Sequence, residues 1–288
     1  MTQYSPNGYS PNGRSATTTM PIASRALRRW IPDQHGAWAM VLLPAMAGMT
    51  LSGATPTQLW LLAAWLLCYF LQFSAARWLK SRFRKRYRKP VLVYGASTAA
   101  VGVPFVLLHP EVLTWAPVFG VLLIVSLMAS WSRRERSLWA NAAAVLATAT
   151  MATVMPLFGE HPTPGGTAVG FDVLGMHVPL SREGCYAAAI FAFTQFGSVL
   201  FVKTMIRERG RSSYLNASVI WNVVLTCLGF AAQPTLGASG AALLARSVVL
   251  PLLARNRTIG PMVTGLVECA TSLMVFASVV YAVPRIGW

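Results

Sequence analysis

Two stretches decide how this chain is read: FLQFSAARWLKSRFRKR, Phe70–Arg86, and FTQFGSVLFVKTMIRER, Phe193–Arg209. Aligned without a gap at an offset of 123, they match at Phe70/Phe193, Gln72/Gln195, Phe73/Phe196, Lys80/Lys203, Arg84/Arg207 and Arg86/Arg209. Each runs from an apolar segment holding one amide into a basic end. Aromatic and basic ends recur in unrelated membrane helices, because positive-inside bias and interfacial anchoring select them. The paired amides are harder to dismiss, since an amide in an apolar segment costs free energy unless it is bonded. Both copies place it eight residues before the lysine.

The surroundings of these stretches are those of an integral membrane protein. The 288 residues are 55% hydrophobic and 11% charged, with a mean hydropathy of +0.52, whereas a soluble domain carries about 25% charged residues. A spanning helix needs roughly 20 apolar residues. Nine such runs are placed at 37–53, 57–79, 91–109, 115–131, 139–158, 183–205, 214–231, 237–254 and 260–283. The eighth fits the pattern worst, because it opens TLGASGAALLARS, small residues with an arginine. A cleaved signal does not fit, since the first apolar run lies far from Met1 and eight more follow.

Charge sets the expected orientation. With the N-terminus inside, 21 of the 24 Lys and Arg fall on the cytoplasmic side; the other side holds Arg182 and Arg285, and Arg246 lies within a span. The reading is N-terminus in and C-terminus out. The pI of about 10.7 then reflects topology, and nucleic-acid binding is excluded for want of a solvated domain to present the charge.

Four helices separate the matched elements, an even number, so the copies point the same way. WSRRERS, Trp131–Ser137, echoes ARNRTI, Ala254–Ile259, near the same offset. The expected architecture is a parallel four-plus-four repeat, halves about 31–138 and 139–259, with a last helix at 260–283. Residues 1–30, with the tandem YSPNG-YSPNG, read as a disordered polar and basic tail ahead of one membrane domain at 31–288. In the outer loop, VGFDVLGMHVPL reads as either a short hairpin or an interfacial segment. Cys68, Cys185, Cys227 and Cys269 show no ligand spacing, and His161 and His177 stand too far apart for a metal site, so neither metal nor cofactor is expected.

Three constellations carry chemistry. Residues four apart share a helix face, so Lys80 with Arg84 and Lys203 with Arg207 form two basic edges, with Arg77 a turn deeper and Gln72 and Gln195 inside. Facing each other, they would line a mouth for a phosphate or carboxylate headgroup; otherwise they are topology determinants that attract anionic lipid. In PDQHGAWAM, Pro32–Met40, Asp33 reads as a helix cap, while Gln34 and His35 lie level with the basic edges and either complete the headgroup site or bond a neighbouring helix. Gly36 is expected at a close backbone approach, and Pro44 and Gly48 to loosen the helix. Arg246 and Glu268 both fall roughly 14 Å from the cytoplasmic end at 1.5 Å per residue, which makes an ion pair the expectation, as a clamp or as part of an ion pathway. Asn141, Asn216 and Asn222 are candidates for bonds between helices.

QHGAWAMVLLP, WLKSRFRKRYRKP, FVKTMIRERG and the Arg246/Glu268 pair together resemble the YwiC-like family of bacterial membrane proteins, over roughly residues 31–283. The resemblance implies a multi-pass protein of the bacterial plasma membrane and brings no reaction with it. A more distant resemblance, in layout and not in residues, is to the UbiA superfamily of intramembrane prenyltransferases, which implies nine helices and two related motifs at the cytoplasmic ends of helices 2 and 6. Those enzymes carry aspartate-rich magnesium motifs there; the two stretches here hold one acid between them, Glu208. Magnesium takes oxygen ligands, usually carboxylates, so no catalytic residue carries over. Three functions remain: binding of an anionic lipid or isoprenoid-type headgroup, enzymatic or not; small-anion or proton-coupled transport; and a structural or assembly role in the membrane. A phosphorylated amphiphile is the partner the first implies.

Overall fold

A computed structural model describes residue 30 and residues 35–161, 169–173, 175–207, 211–256 and 260–286. The tail, Asp33 and Gln34 lie outside the described residues, as do the side chains of His35 and Arg207. The architecture is all-α but for one hairpin. In chain order the helices are α1 His35–Ser52, α2 Pro56–Lys80, α3 Arg88–Leu108, α4 Ala116–Trp131, α5 Leu138–Val154, α6 Arg182–Val202, α7 Ser212–Ala232, α8 Pro234–Asn256 and α9 Pro261–Ala282. Among the described residues, eight apolar helices have the length and composition to cross a membrane, and α1 is a shorter ninth.

Local chemistry sets the ends. Thr55 caps α2 in a reciprocal box with Gln58, and Pro56 follows at the first helical position. Serines cap α5 (Ser137) and α6 (Ser181) by accepting a backbone N–H three residues on. The outer segment is an antiparallel hairpin, β1 Val169–Val173 with β2 Met176–Leu180, Phe171 opposite Val178.

The first helix is the hub. It packs against α5, α6 and α9, and more lightly against α2. Leu43 and Ala47 join Ala149, Ala152, Phe191, Leu243, Val275 and Val279 in one core cluster, while Ala45 and Met49 join Leu61, Phe105, Trp115, Met151 and Met155 in another. Glycines make the approach to α5 close: a Cβ on Gly48 or on Gly184 would lie 2.8 Å from Ala152 O. Gly36 was expected to play that part, but a Cβ there meets nothing within 4 Å among the described residues. Pro44 supplies no N–H, which leaves the carbonyl of Met40 without its intrahelical donor, and Gln195 Nε2 donates to it at 3.3 Å.

The α7–α8 pair meets through small residues, and a Cβ on Gly229 would stand 2.8 Å from the Leu236 backbone, one on Gly240 2.8 Å from Thr226 Cα. Gln58, fully buried at the hairpin end, donates to Ser52 Oγ and Met155 O, each at 2.8 Å. Its signal, Thr-Pro-Thr-Gln as a capping box, was readable in the sequence.

Candidate functional site

The ends of α2 and α4 share one termination. After α2, Arg82 N–H donates to Leu79 O and Phe83 N–H to Trp78 O, both at 3.0 Å. After α4, Arg133 N–H donates to Ser130 O at 3.2 Å and Arg134 N–H to Ala129 O at 2.8 Å. Both are Schellman ends, whose left-handed residue is usually glycine; here it is Arg82 (φ 57°) and Arg133 (φ 57°), with Phe83 (φ 62°) alongside. The left-handed conformation costs a side chain roughly 1–2 kcal/mol. These three are the non-glycine residues with positive φ among the described residues, and all border one basic surface.

Side chains tie the two ends together. Lys80 Nζ lies 2.5 Å from Glu135 Oε2. The Arg82 guanidinium sits 4.3 Å over the Trp131 ring, and Phe83 packs edge-on against Trp78 at 5.0 Å, the apolar contact that accompanies such a motif.

Two adjoining cavities result. One, about 420 Å³, is lined by Lys80, Ser81, Arg82, Arg84, Arg86 and Arg133: five cations and a hydroxyl. The other, about 550 Å³, lies between α2, α4 and α5 and is lined by Gln72, Arg77, Lys80, Ser126, Glu135 and Asn141, among others. Lys80 and Ser81 belong to both. Gln72 Nε2 donates to Ser126 Oγ at 2.7 Å, and Arg77 lies 4.7 Å over Phe73.

The structure therefore brings Gln72, Arg77, Lys80 and Arg84 together and leaves Gln195 and Lys203 elsewhere. Gln195 is buried, bonded to Met40 O and accepting from Thr148 Oγ1 at 3.2 Å. Lys203 is buried 5.8 Å over the Tyr214 ring, at the start of a π-helical turn, Lys203–Arg207, that extends α6. Helix α1 stands between the copies, with Trp38 edge-on to Phe70 at 5.5 Å on one side and Met40 O bonded to Gln195 on the other.

Arg246 and Glu268 lie deep in α8 and α9, with Nη1 2.6 Å from Oε1 and both side chains buried. Arg246 also donates to Thr271 Oγ1 (2.6 Å) and Ser198 Oγ (3.1 Å) and stands 4.5 Å over Phe201. Beside the pair, Thr194, Gln195, Ser198, Thr271 and Ser272 help line a void of about 10 Å³, near the threshold for one water.

Sequence reasoning missed Ser126, Ser130 and Glu135. Glu135 carried a signal, as the one acid inside the basic run WSRRERS; Ser126 and Ser130 carried none, being small residues in an apolar helix. Asn141 and Asn222 were candidates for bonds between helices, but each donates within its own turn, to Ser137 O and Ser218 O at 2.8 Å, as asparagine commonly does. Asn216 is exposed.

Residues 31–156 match the model of the YwiC-like protein family. A relative from Haemophilus influenzae, named only as an uncharacterized protein, is 25% identical over 247 residues, 85% of this chain and 95% of its own length. The uncharacterized protein YwiC of Bacillus subtilis is 28% identical over 203 residues, 70% of this chain and 77% of its own length. No solved structure matches.

Proposed function

We propose that this YwiC-like chain crosses a bacterial plasma membrane nine times, N-terminus in and C-terminus out, and holds an anionic amphiphile's headgroup where α2 and α4 end. The orientation rests on the placement of 21 of 24 Lys and Arg on one side. In this reading the halves 31–138 and 139–259 are like-oriented groups of four helices with α9 appended, and only the first-half copy of the amide–lysine motif serves the site.

The observation that carries the reading is the cationic cavity. Five Lys and Arg side chains line it with no carboxylate among them, and the backbone of two of those arginines, Arg82 and Arg133, is set by helix-terminating turns. Charge-assisted hydrogen bonds from such donors are about twice as strong as neutral ones, and each cation near an anionic lipid surface adds about 1 kcal/mol. Prenyl transfer through magnesium is not part of the proposal, because the neighbouring cavity offers a single carboxylate, Glu135, and Lys80 already engages it.

The test is equilibrium binding of dihexanoyl phosphatidic acid to the full chain in a neutral detergent. Lys80→Ala with Arg84→Ala should weaken binding by about ten-fold or more, from the loss of two charge-assisted contacts, while the unfolding temperature holds. Undiminished binding by that double variant removes the reading.

A second reading, small-anion or proton-coupled transport, is favoured by the polar void beside Arg246 and Glu268. Proteoliposomes should then take up a small anion at a rate that Glu268→Gln changes; no uptake across a broad panel counts against it.

A further inference from the structure

The two cavities that share Lys80 and Ser81 differ in chemistry. The smaller presents five cations and one hydroxyl; the larger sets Arg77, Lys80, Arg136 and the Glu135 carboxylate beside many uncharged hydrogen-bonding groups, among them Tyr69, Gln72, Ser126, Ser130 and Asn141. Each volume, about 420 and 550 Å³, falls in the range of about 300–1,000 Å³ typical of small-molecule sites. Arg84 and Arg133 line the smaller one and engage no side-chain hydrogen bond or ion pair among the described residues.

A bare alkyl phosphate would use only the first cavity. An apolar chain threaded through the second would strip water from an amide with four hydrogen-bonding positions and from two serines without replacing it. Glu135 offsets part of the charge of Arg77, Lys80 and Arg136 there, so the second cavity draws an anion less strongly than the first, which holds five cations and no carboxylate. What suits both cavities at once is one phosphoryl group joined to an uncharged part rich in hydroxyls.

Resting on the headgroup reading above, we infer that the ligand is a phosphate ester of a polyol, its phosphoryl oxygens among Arg84, Arg133 and Lys80 and its hydroxyls against Gln72, Ser126 and Asn141. Lys80 stands at the boundary, ion-paired with Glu135. A phosphoryl oxygen arriving there competes with that carboxylate for the same ammonium, so the ion pair loosens as the ligand seats. The chemistry is common to a polyol-bearing lipid headgroup and to a free polyol phosphate.

The experiment compares two diesters of equal charge on the full chain in neutral detergent: dihexanoyl phosphatidylglycerol and dihexanoyl phosphatidylmethanol, which lacks the polyol. The glycerol ester should bind about ten-fold more tightly, the worth of one or two added hydrogen bonds. Gln72→Leu and Asn141→Leu should each shrink that ratio toward one, and Arg84→Ala with Arg133→Ala should weaken both esters in parallel. Either amide variant suffices if the other does not fold. Equal affinity of the wild type for the two esters, or a ratio that survives both amide substitutions, overturns the inference; the headgroup reading then stands if the arginine variant still weakens both. If neither ester binds, both readings fall. Free glycerol 3-phosphate forms the second arm. Affinity matching the glycerol diester, lost in the arginine variant, supports a soluble ligand; affinity for the diester alone supports a lipid.

Discussion

The copy of the amide–lysine motif on α2 and the copy on α6 share six identical positions and almost no environment. Gln72 borders an open cavity and bonds a serine of α4; Gln195 is buried and bonds the backbone of α1. Lys80 is exposed and ion-paired across to the α4–α5 turn, whereas Lys203 is buried at a π-helical turn. The difference lies in α1, which packs on α6 and lies only lightly against α2. A shared local sequence fixes which face of a helix carries an amide and a cation, and the partner laid on that face decides whether they become a site or a joint.

That contrast can be broken by experiment, and the largest effect belongs to the buried ion pair between α8 and α9. Glu268→Ala leaves a buried guanidinium unpaired and should cost about 3–5 kcal/mol, measured by unfolding in mixed micelles. Replacing both partners, Arg246→Met with Glu268→Leu, should cost much less; equal losses would mean the pair is not the cause.

Next comes the amide comparison itself. Gln195→Leu strands the Met40 carbonyl and should cost about 1–3 kcal/mol, while Gln72→Leu, at an open cavity, should stay under about 1 kcal/mol. Equal costs would erase the distinction between site and joint.

A smaller effect has the opposite sign for stability. Arg82→Gly removes a side chain from a left-handed backbone and should stabilise by about 1 kcal/mol, yet weaken the binding of phosphatidic acid. Stability and binding moving the same way would mean that the strained arginine is not held for its charge.

The smallest belongs to Lys80. Its pair with Glu135 is 43% and 31% exposed, so Lys80→Ala should change stability by less than about 1 kcal/mol, with the effect on anion binding larger in low salt than in high.

Helix positions were legible because apolar length is a one-dimensional signal: the expected 57–79 is Pro56–Lys80, and the expected 237–254, the poorest match, is Pro234–Asn256. The amide and cations of α2 were legible as one face for the same reason. What was not legible is what lies across from them. Ser126 and Asn141 reach the cavity through the packing of α4 and α5 beside α2, and no spacing within either helix records that neighbour. Nor does periodicity show that Pro44 frees a carbonyl for a glutamine 155 positions away. Left-handed arginines are hidden too, since arginine in a loop ordinarily reads as charge and nothing else.

The central place of α1 also bears on how the chain is made. The ribosome delivers it first, yet the surfaces that enclose it belong to α5, α6 and α9, the last of these more than 200 residues later. Until then Leu43 and Ala47 have Ala149, Ala152 and Phe191 beside them but not Val275 and Val279. A nascent chain halted before α9 would therefore keep its first helix loosely held and open to membrane proteases, and completion of the final helix becomes the step that commits the bundle to its native arrangement.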